Sequence, residues 1–160
     1  MRGEVTIRRA SADDAPAILQ CLHVAFEPYR SSYTTKAFQD TVLTPATIQQ
    51  RLGAMRVFVA VAGDRGIVGT IGCALIDENE GHLRGMAVLP GWQGQGIADR
   101  LLQSAEDELG AGNCVRITLD TTEPLLRATR FYEKNGYRRS PRTADFFGMP
   151  LHEYVKNLTR

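Results

Sequence analysis

Apolar positions recur along this chain with two different periods, and the alternation between them maps its elements. Glu4 to Arg9 sets Val5 and Ile7 between polar neighbours, the period of two that predicts a half-buried strand. Ala15, Ile18, Leu19, Leu22 and Phe26 then fall on one helical face, with Ser11, Asp13 and Asp14 at its start and Pro28 at its end. Residues 28–44 are polar and aromatic and read as loop with one short helical turn. Thr44-Pro45, an N-cap followed by proline at the first helical position, opens a further helix to about Leu52. Arg56 to Ala62 and Ile67 to Ile76 are β-rich runs joined by Gly63-Asp64-Arg65-Gly66, a hairpin. Asp77 to Gly81 turns into a strand from His82 to Leu89.

A helix with Ala98, Leu101, Leu102, Ala105 and Leu109 on one face follows and stops at Gly110-Ala111-Gly112-Asn113. Val115, Ile117 and Leu119 alternate as a buried strand. Thr122-Glu123-Pro124 predicts the start of a last helix, which runs to Asn135 and stops at Gly136. Tyr137 onward and Leu151 to Leu158 read as two closing strands. This order predicts an α+β fold around a mostly antiparallel sheet, with one parallel crossover between residues 82 and 120.

Composition narrows the function classes. A chain of 160 residues reads as a single domain spanning 1–160. The net charge of +1 gives no basic surplus for nucleic acid. Three dispersed cysteines, Cys21, Cys73 and Cys114, argue for free thiols in a reducing compartment rather than a disulfide framework. Met1-Arg2-Gly3-Glu4 leads straight into a strand without an apolar leader, and no run is long enough to span a bilayer. The expectation is a cytoplasmic protein without a membrane partner. His23 and His152 stand alone, so no metal site is expected.

The chemistry concentrates in His82-Leu83-Arg84-Gly85-Met86-Ala87-Val88-Leu89-Pro90-Gly91-Trp92-Gln93-Gly94-Gln95-Gly96-Ile97-Ala98. A strand, a glycine-rich loop and a helix start form an anion pocket, because successive amides and the positive end of the helix dipole converge there. A Walker loop is excluded, since no Gly-Lys-Ser/Thr follows the glycines. A dinucleotide fingerprint lacks its third glycine, although Asp120 at the end of the next strand imitates the ribose-binding acid. An oxidoreductase reading therefore stays open beside a second one.

Val88-x-Pro90 followed by Gln93-Gly94-Gln95-Gly96-Ile97-Ala98 resembles the Q/R-x-x-G-x-G/A motif of the GNAT superfamily of acyl-CoA-dependent N-acyltransferases. Phe131-Tyr132-Glu133-Lys134-Asn135-Gly136-Tyr137 is similar to that family's second landmark, an aromatic-Tyr-x-x-x-Gly-aromatic segment. The resemblance implies a GNAT-like sheet of six to seven strands, flanked by about four helices on both faces. It implies acetyl-CoA as co-substrate and direct transfer of its acetyl group to a primary amine, without a covalent enzyme intermediate. A non-catalytic acyl-CoA-binding module is a third reading. The acceptor is a small-molecule or peptide amine, and the family often dimerises, so a homodimer is allowed.

Site residues follow from the same match. Gln93, Gly94, Gln95, Gly96, Ile97 and Ala98 would offer amides to the pyrophosphate. Met86, Ala87 and Val88 would lie along the pantetheine arm, whose amides suit a strand edge. Tyr132 resembles the thiolate-protonating tyrosine, and its ordinary pKa of about 10 keeps it a donor at neutral pH; with Leu125 and Thr129 it also reads as a core stripe. His82 stands where many relatives place a glutamate base, with Glu80 as a neighbour; a solvated strand-start histidine is the plainer reading. The family's asparagine seven residues before the tyrosine is Leu125 here. Arg100 is a candidate for a phosphate, and Trp92 for a cofactor contact. The acceptor would meet Tyr29, Arg30, Tyr33 and a loop from Pro141 to Pro150 with Phe146-Phe147, where Arg30 is suited to a carboxylate.

Overall fold

Two apolar clusters, one on each face of a single sheet, organise the protein. The computed structural model describes residues 4–158. Met1, Arg2 and Gly3, read above for the lack of a leader, lie outside the described residues. The strands are β1 (Val5–Arg9), β2 (Arg56–Ala62), β3 (Ile67–Leu75), β4 (Glu80–Val88), β5 (Arg116–Thr122), β6 (Arg138–Phe146) and β7 (Met149–Asn157). Their order is β1-β2-β3-β4-β5-β7-β6, and only β4 and β5 run parallel. The helices are α1 (Ala15–Phe26), α2 (Thr35–Val42), α3 (Pro45–Ala54), α4 (Ile97–Ala111) and α5 (Leu126–Lys134). The expected α+β architecture and the single parallel crossover are therefore present.

Period-two alternation sorts the strands between the clusters. Val57 and Val59 face α1, α2 and α3 with Ile18, Leu22, Phe38 and Ile48. Ile71, Leu83, Ile117 and Leu119 face α4 with Leu101, Leu102 and Leu109, and Tyr132 of α5 joins them. Gly81 marks how tightly β4 seats on α4, because a Cβ there would meet Leu109 Cδ1 at 2.7 Å.

Several expectations need correction. Residues 35–42 form a helix where a loop was expected; Thr34 caps it by accepting from the Ala37 amide at 3.2 Å. Pro28 does not release the chain, because a 3-10 turn from Glu27 to Ser32 continues directly from α1. Thr122 does not start the last helix. It belongs to β5, and α5 begins at Leu126 after Leu125, which makes no side-chain cap. The expected loop from Pro141 to Pro150 is mostly β6 and β7, turning at Phe147-Gly148. Pro141 fits in β6 because that strand is an edge and its register slips between Arg139 and Thr143.

The sheet opens where the site lies. β4 pairs with β5 only from Glu80↔Arg116 to Leu83↔Leu119. On its other edge β4 carries a bulge: Thr70 opposes Ala87 and Gly72 opposes Arg84, so β4 spends one residue more than β3 there. Gly85 adopts φ +67° within it, a left-handed conformation that suits glycine. The bulge bends the end of β4 away from β5, and the two strands part like a wedge.

Candidate active site

The wedge widens into a cleft of about 840 Å³ between β4, β5, α5 and the α1–α2 segment. Met86, Ala87 and Val88 form one wall, with Gln93, Gly94, Gly96, Ile97 and Ala98 at one end. Leu89 donates its amide to Val68 O of β3 at 2.8 Å. Backbone groups alternate sides along a strand, so the neighbouring Val88 amide turns to the wedge. The Val88 carbonyl, on the same side as its own amide, accepts from Gln93 Nε2 at 3.2 Å.

The loop before α4 holds two glycines in left-handed conformations, Gly94 at φ +78° and Gly96 at φ +82°. A Cβ on either would meet no protein atom within 4 Å. Glycine is therefore needed here for its backbone conformation, and the space beyond is open. The first intrahelical bond of α4 runs from the Arg100 amide to Gly96 O at 3.1 Å. The amides of Ile97, Ala98 and Asp99 precede it and have no intrahelical acceptor. With the helix dipole behind them, they suit a diphosphate. Gln95 is the one nominated residue of this group that does not line the cleft; its amide side chain donates back to Gly91 O at 3.5 Å. Arg100 does not line it either. Trp92 lines the cleft and also packs on the core beside α4. Leu125 fills the wall at the asparagine position.

Tyr132 lies in the opposite wall and is 6% exposed. Its ring meets Phe131 and Tyr137 edge-on at 5.4 Å and 5.7 Å. Burial pushes its phenol pKa well above the ordinary value, so it stays protonated throughout the physiological range.

His82 and Asp120 meet in the cleft. Parallel pairing sets His82 opposite Thr118, and Asp120, two residues further along β5, emerges on the same face. His82 Nε2 lies 3.6 Å from Asp120 Oδ2, and its Nδ1 lies 2.8 Å from Thr118 Oγ1. Burial lowers the His82 pKa and outweighs the attraction of Asp120; burial raises that of Asp120. His82 is thus neutral at pH 7 and able to take a proton. Sequence reasoning nominated His82 but gave Asp120 a ribose. Glu80, the neighbouring candidate, is occupied: Arg116 Nη1 donates to its Oε1 at 2.7 Å.

Of the residues expected to meet an acceptor, Tyr29, Tyr33 and Phe146 line the cleft, whereas Arg30 and Phe147 do not. Arg30 is held by Glu27 at 2.9 Å and lies over the Phe38 ring at 4.2 Å. Tyr33 Oη and Thr122 Oγ1 lie 2.6 Å apart, and Thr34 Oγ1 donates to Phe147 O at 2.8 Å. These two bonds tie the segment before α2 to β5 and to the β6–β7 turn, closing one end of the cleft. Arg51 and Arg84, which sequence reasoning missed, line it beside the bulge. Among the described residues no helix is long and apolar enough to cross a membrane.

Comparison with known proteins gives one family. The model of the acetyltransferase (GNAT) family matches residues 18–137. No curated protein sequence matches the chain. Among solved structures, a GNAT-family acetyltransferase from Staphylococcus aureus Mu50 is similar over 98% of this chain and 100% of its own, with TM-score 0.80 and 21% identity. The PaiA N-acetyltransferase of Thermoplasma acidophilum, solved in complex with coenzyme A, has TM-score 0.80 at 17% identity, covering 97% of this chain and 99% of that one. A GNAT-family acetyltransferase from Elizabethkingia anophelis with acetyl-CoA bound has TM-score 0.70 at 18% identity, over 96% and 98% of the two chains. At these identities the likeness is one of fold.

Proposed function

The chain belongs to the acetyltransferase (GNAT) family, and we propose that it moves the acetyl group of acetyl-CoA directly to a primary amine within a ternary complex. One observation carries this reading. A glycine loop at a helix start, a strand edge with its Val88 amide turned inward, a buried phenol and a neutral histidine all border the same cleft. The cleft fits the co-substrate: left-handed glycines and helix-start amides suit the diphosphate, and the wedge beside Met86–Val88 suits a chain of amides.

Acetyl-CoA supplies an activated thioester and a thiol leaving group. An amine with an ordinary pKa of about 10.4 must lose a proton before it attacks. His82, oriented by Thr118 and stabilised by Asp120 once charged, is the base, directly or through water. The Val88 amide is the donor for the oxyanion. Tyr132, kept protonated by burial, is the acid for the departing sulfur. Three buried free cysteines support a reducing, cytoplasmic setting, and one continuous sheet supports a single catalytic domain.

The test is thiol release from acetyl-CoA with a panel of amines, beside separate binding titrations with acetyl-CoA and NADH. The expected result is acetyl-CoA binding and thiol release with at least one amine class. Binding without thiol release from any amine would leave a carrier-binding module, and preference for NADH would return the dinucleotide reading.

A further inference from the structure

Arg51 of α3 and Arg84 of β4 stand side by side in the cleft wall, and their charges are not balanced. Arg84 Nη2 donates to Asp40 Oδ2 at 3.2 Å. Among the described residues no carboxylate lies within ion-pair distance of Arg51. Its guanidinium rests on the bulge, where Nη1 fills the space that a Cβ on Gly85 would take. Burial above all, and then the neighbouring Arg84, bring the Arg51 pKa down to about 10 against the opposing pull of Asp40. Two guanidiniums therefore stand together beside one carboxylate, which bonds Arg84 alone. Arg51 is the less exposed of the two, and a part-buried charge without a partner is costly, so a further anion would stabilise it.

The opposite charge sits close by. His82 and Arg84 lie on one face of β4 two residues apart, about 7 Å along a strand. Asp120 faces His82, so the cleft is negative where an amine would be deprotonated and positive one step along the same strand. The Arg51 guanidinium is planar and presents paired donors, which match a carboxylate. Tyr29, Tyr33 and Phe146 leave an uncharged wall for a side chain.

We propose that the acceptor is an amine carrying its own carboxylate, a free amino acid, with Arg51 and Arg84 as the carboxylate clamp and His82–Asp120 at its amino group. This inference rests on the acetyltransfer reading and narrows its acceptor. Arg51 and Arg84 are specificity residues in it and take no part in proton transfer.

The experiment measures thiol release with a set of amino acids, each compared with its primary amide and its decarboxylated amine. The native chain should prefer the acid over the amide by tenfold or more in kcat/KM. Arg51→Gln and Arg84→Gln should each cut that preference at least tenfold, with thermal midpoints confirming that both fold. Amides or decarboxylated amines used as well as the acids, or a preference unchanged in both variants, would overturn the clamp while leaving acetyltransfer standing. Should no amine release thiol, the acetyltransfer reading fails, and calorimetry of the same acids and amides against CoA-saturated protein decides the clamp. Tenfold tighter binding of an acid, lost in Arg51→Gln, supports it; equal binding, or none by any acid, refutes it.

Discussion

Replacing Gly96 by alanine separates backbone conformation from side-chain space at the glycine loop. Gly96 sits at φ +82° at the start of α4, and an added Cβ would touch no protein atom within 4 Å. The penalty is therefore conformational, about 1–2 kcal/mol for an L-residue held left-handed. For a domain of this size that corresponds to a fall of roughly 2–8 °C in thermal midpoint. Strain of this size is relieved by rotating φ to negative values, which turns the Ile97 and Ala98 amides from their common direction. Loss of one hydrogen bond to a charged phosphate is worth about 1.5–3 kcal/mol, or roughly tenfold to a hundredfold in Kd. Gly53 in α3 is the control, because its Cβ is equally unobstructed and its φ is not positive. Gly53→Ala should raise stability by up to about 0.5–1 kcal/mol and leave acetyl-CoA affinity alone. Calorimetric titration and thermal melts on the three proteins suffice. A Gly96→Ala protein that melts lower yet binds acetyl-CoA as tightly as the native chain would refute the role given to these amides.

Three further outcomes are expected. Tyr132→Phe should lower kcat about a hundredfold or more while acetyl-CoA affinity and melting stay as they are, since the ring contacts with Phe131 and Tyr137 persist; full activity would remove Tyr132 from the mechanism. Because burial sets the His82 pKa below its ordinary 6.5, kcat should hold as pH falls through that value and decline only at a more acid midpoint. Asp120 works against that lowering, so Asp120→Asn should move the decline still further to acid, and a move toward neutral pH would break the pairing. Away from the site, hydrogen bonds from Arg8 hold the Asp14 pKa at about 2. Its contribution is present above the unfolded value of about 3.9 and lost as pH falls toward 2. Asp14→Asn should thus cost about 1 kcal/mol at pH 7, with the gap in denaturant melts closing between roughly pH 4 and 2.

The parts of this fold that were readable were those set by local periodicity. Val5 and Ile7, the β2–β3 hairpin and the apolar face of α4 each declare their element within a dozen residues. Helix α2 did not, because Ala37, Phe38 and Val42 are too sparse a stripe, and its stability comes from packing on α1 and from the Thr34 cap. Thr122 carries a helix-start residue type, yet pairing with Leu151 across β7 and the bond to Tyr33 keep it in a strand. In the site, the glycine loop was legible as a contiguous motif. The His82–Asp120 contact was not, because it depends on the register of a parallel pair thirty-odd residues apart. Arg51 and Arg84 meet only after α3 packs on the sheet, whereas Arg30, conspicuous in sequence, is satisfied locally by Glu27.

The parting of β4 from β5 has a bearing on the durability of the molecule as well as on its chemistry. Four register pairs, from Glu80↔Arg116 to Leu83↔Leu119, are all that join one half of the sheet to the other. On the proposed reading, an extended carrier laid along the divergent edges would act as a borrowed strand and splint the halves together. A ligand present at a hundred times its Kd adds about 2.7 kcal/mol to folding stability, a large share of the margin by which small domains stay folded.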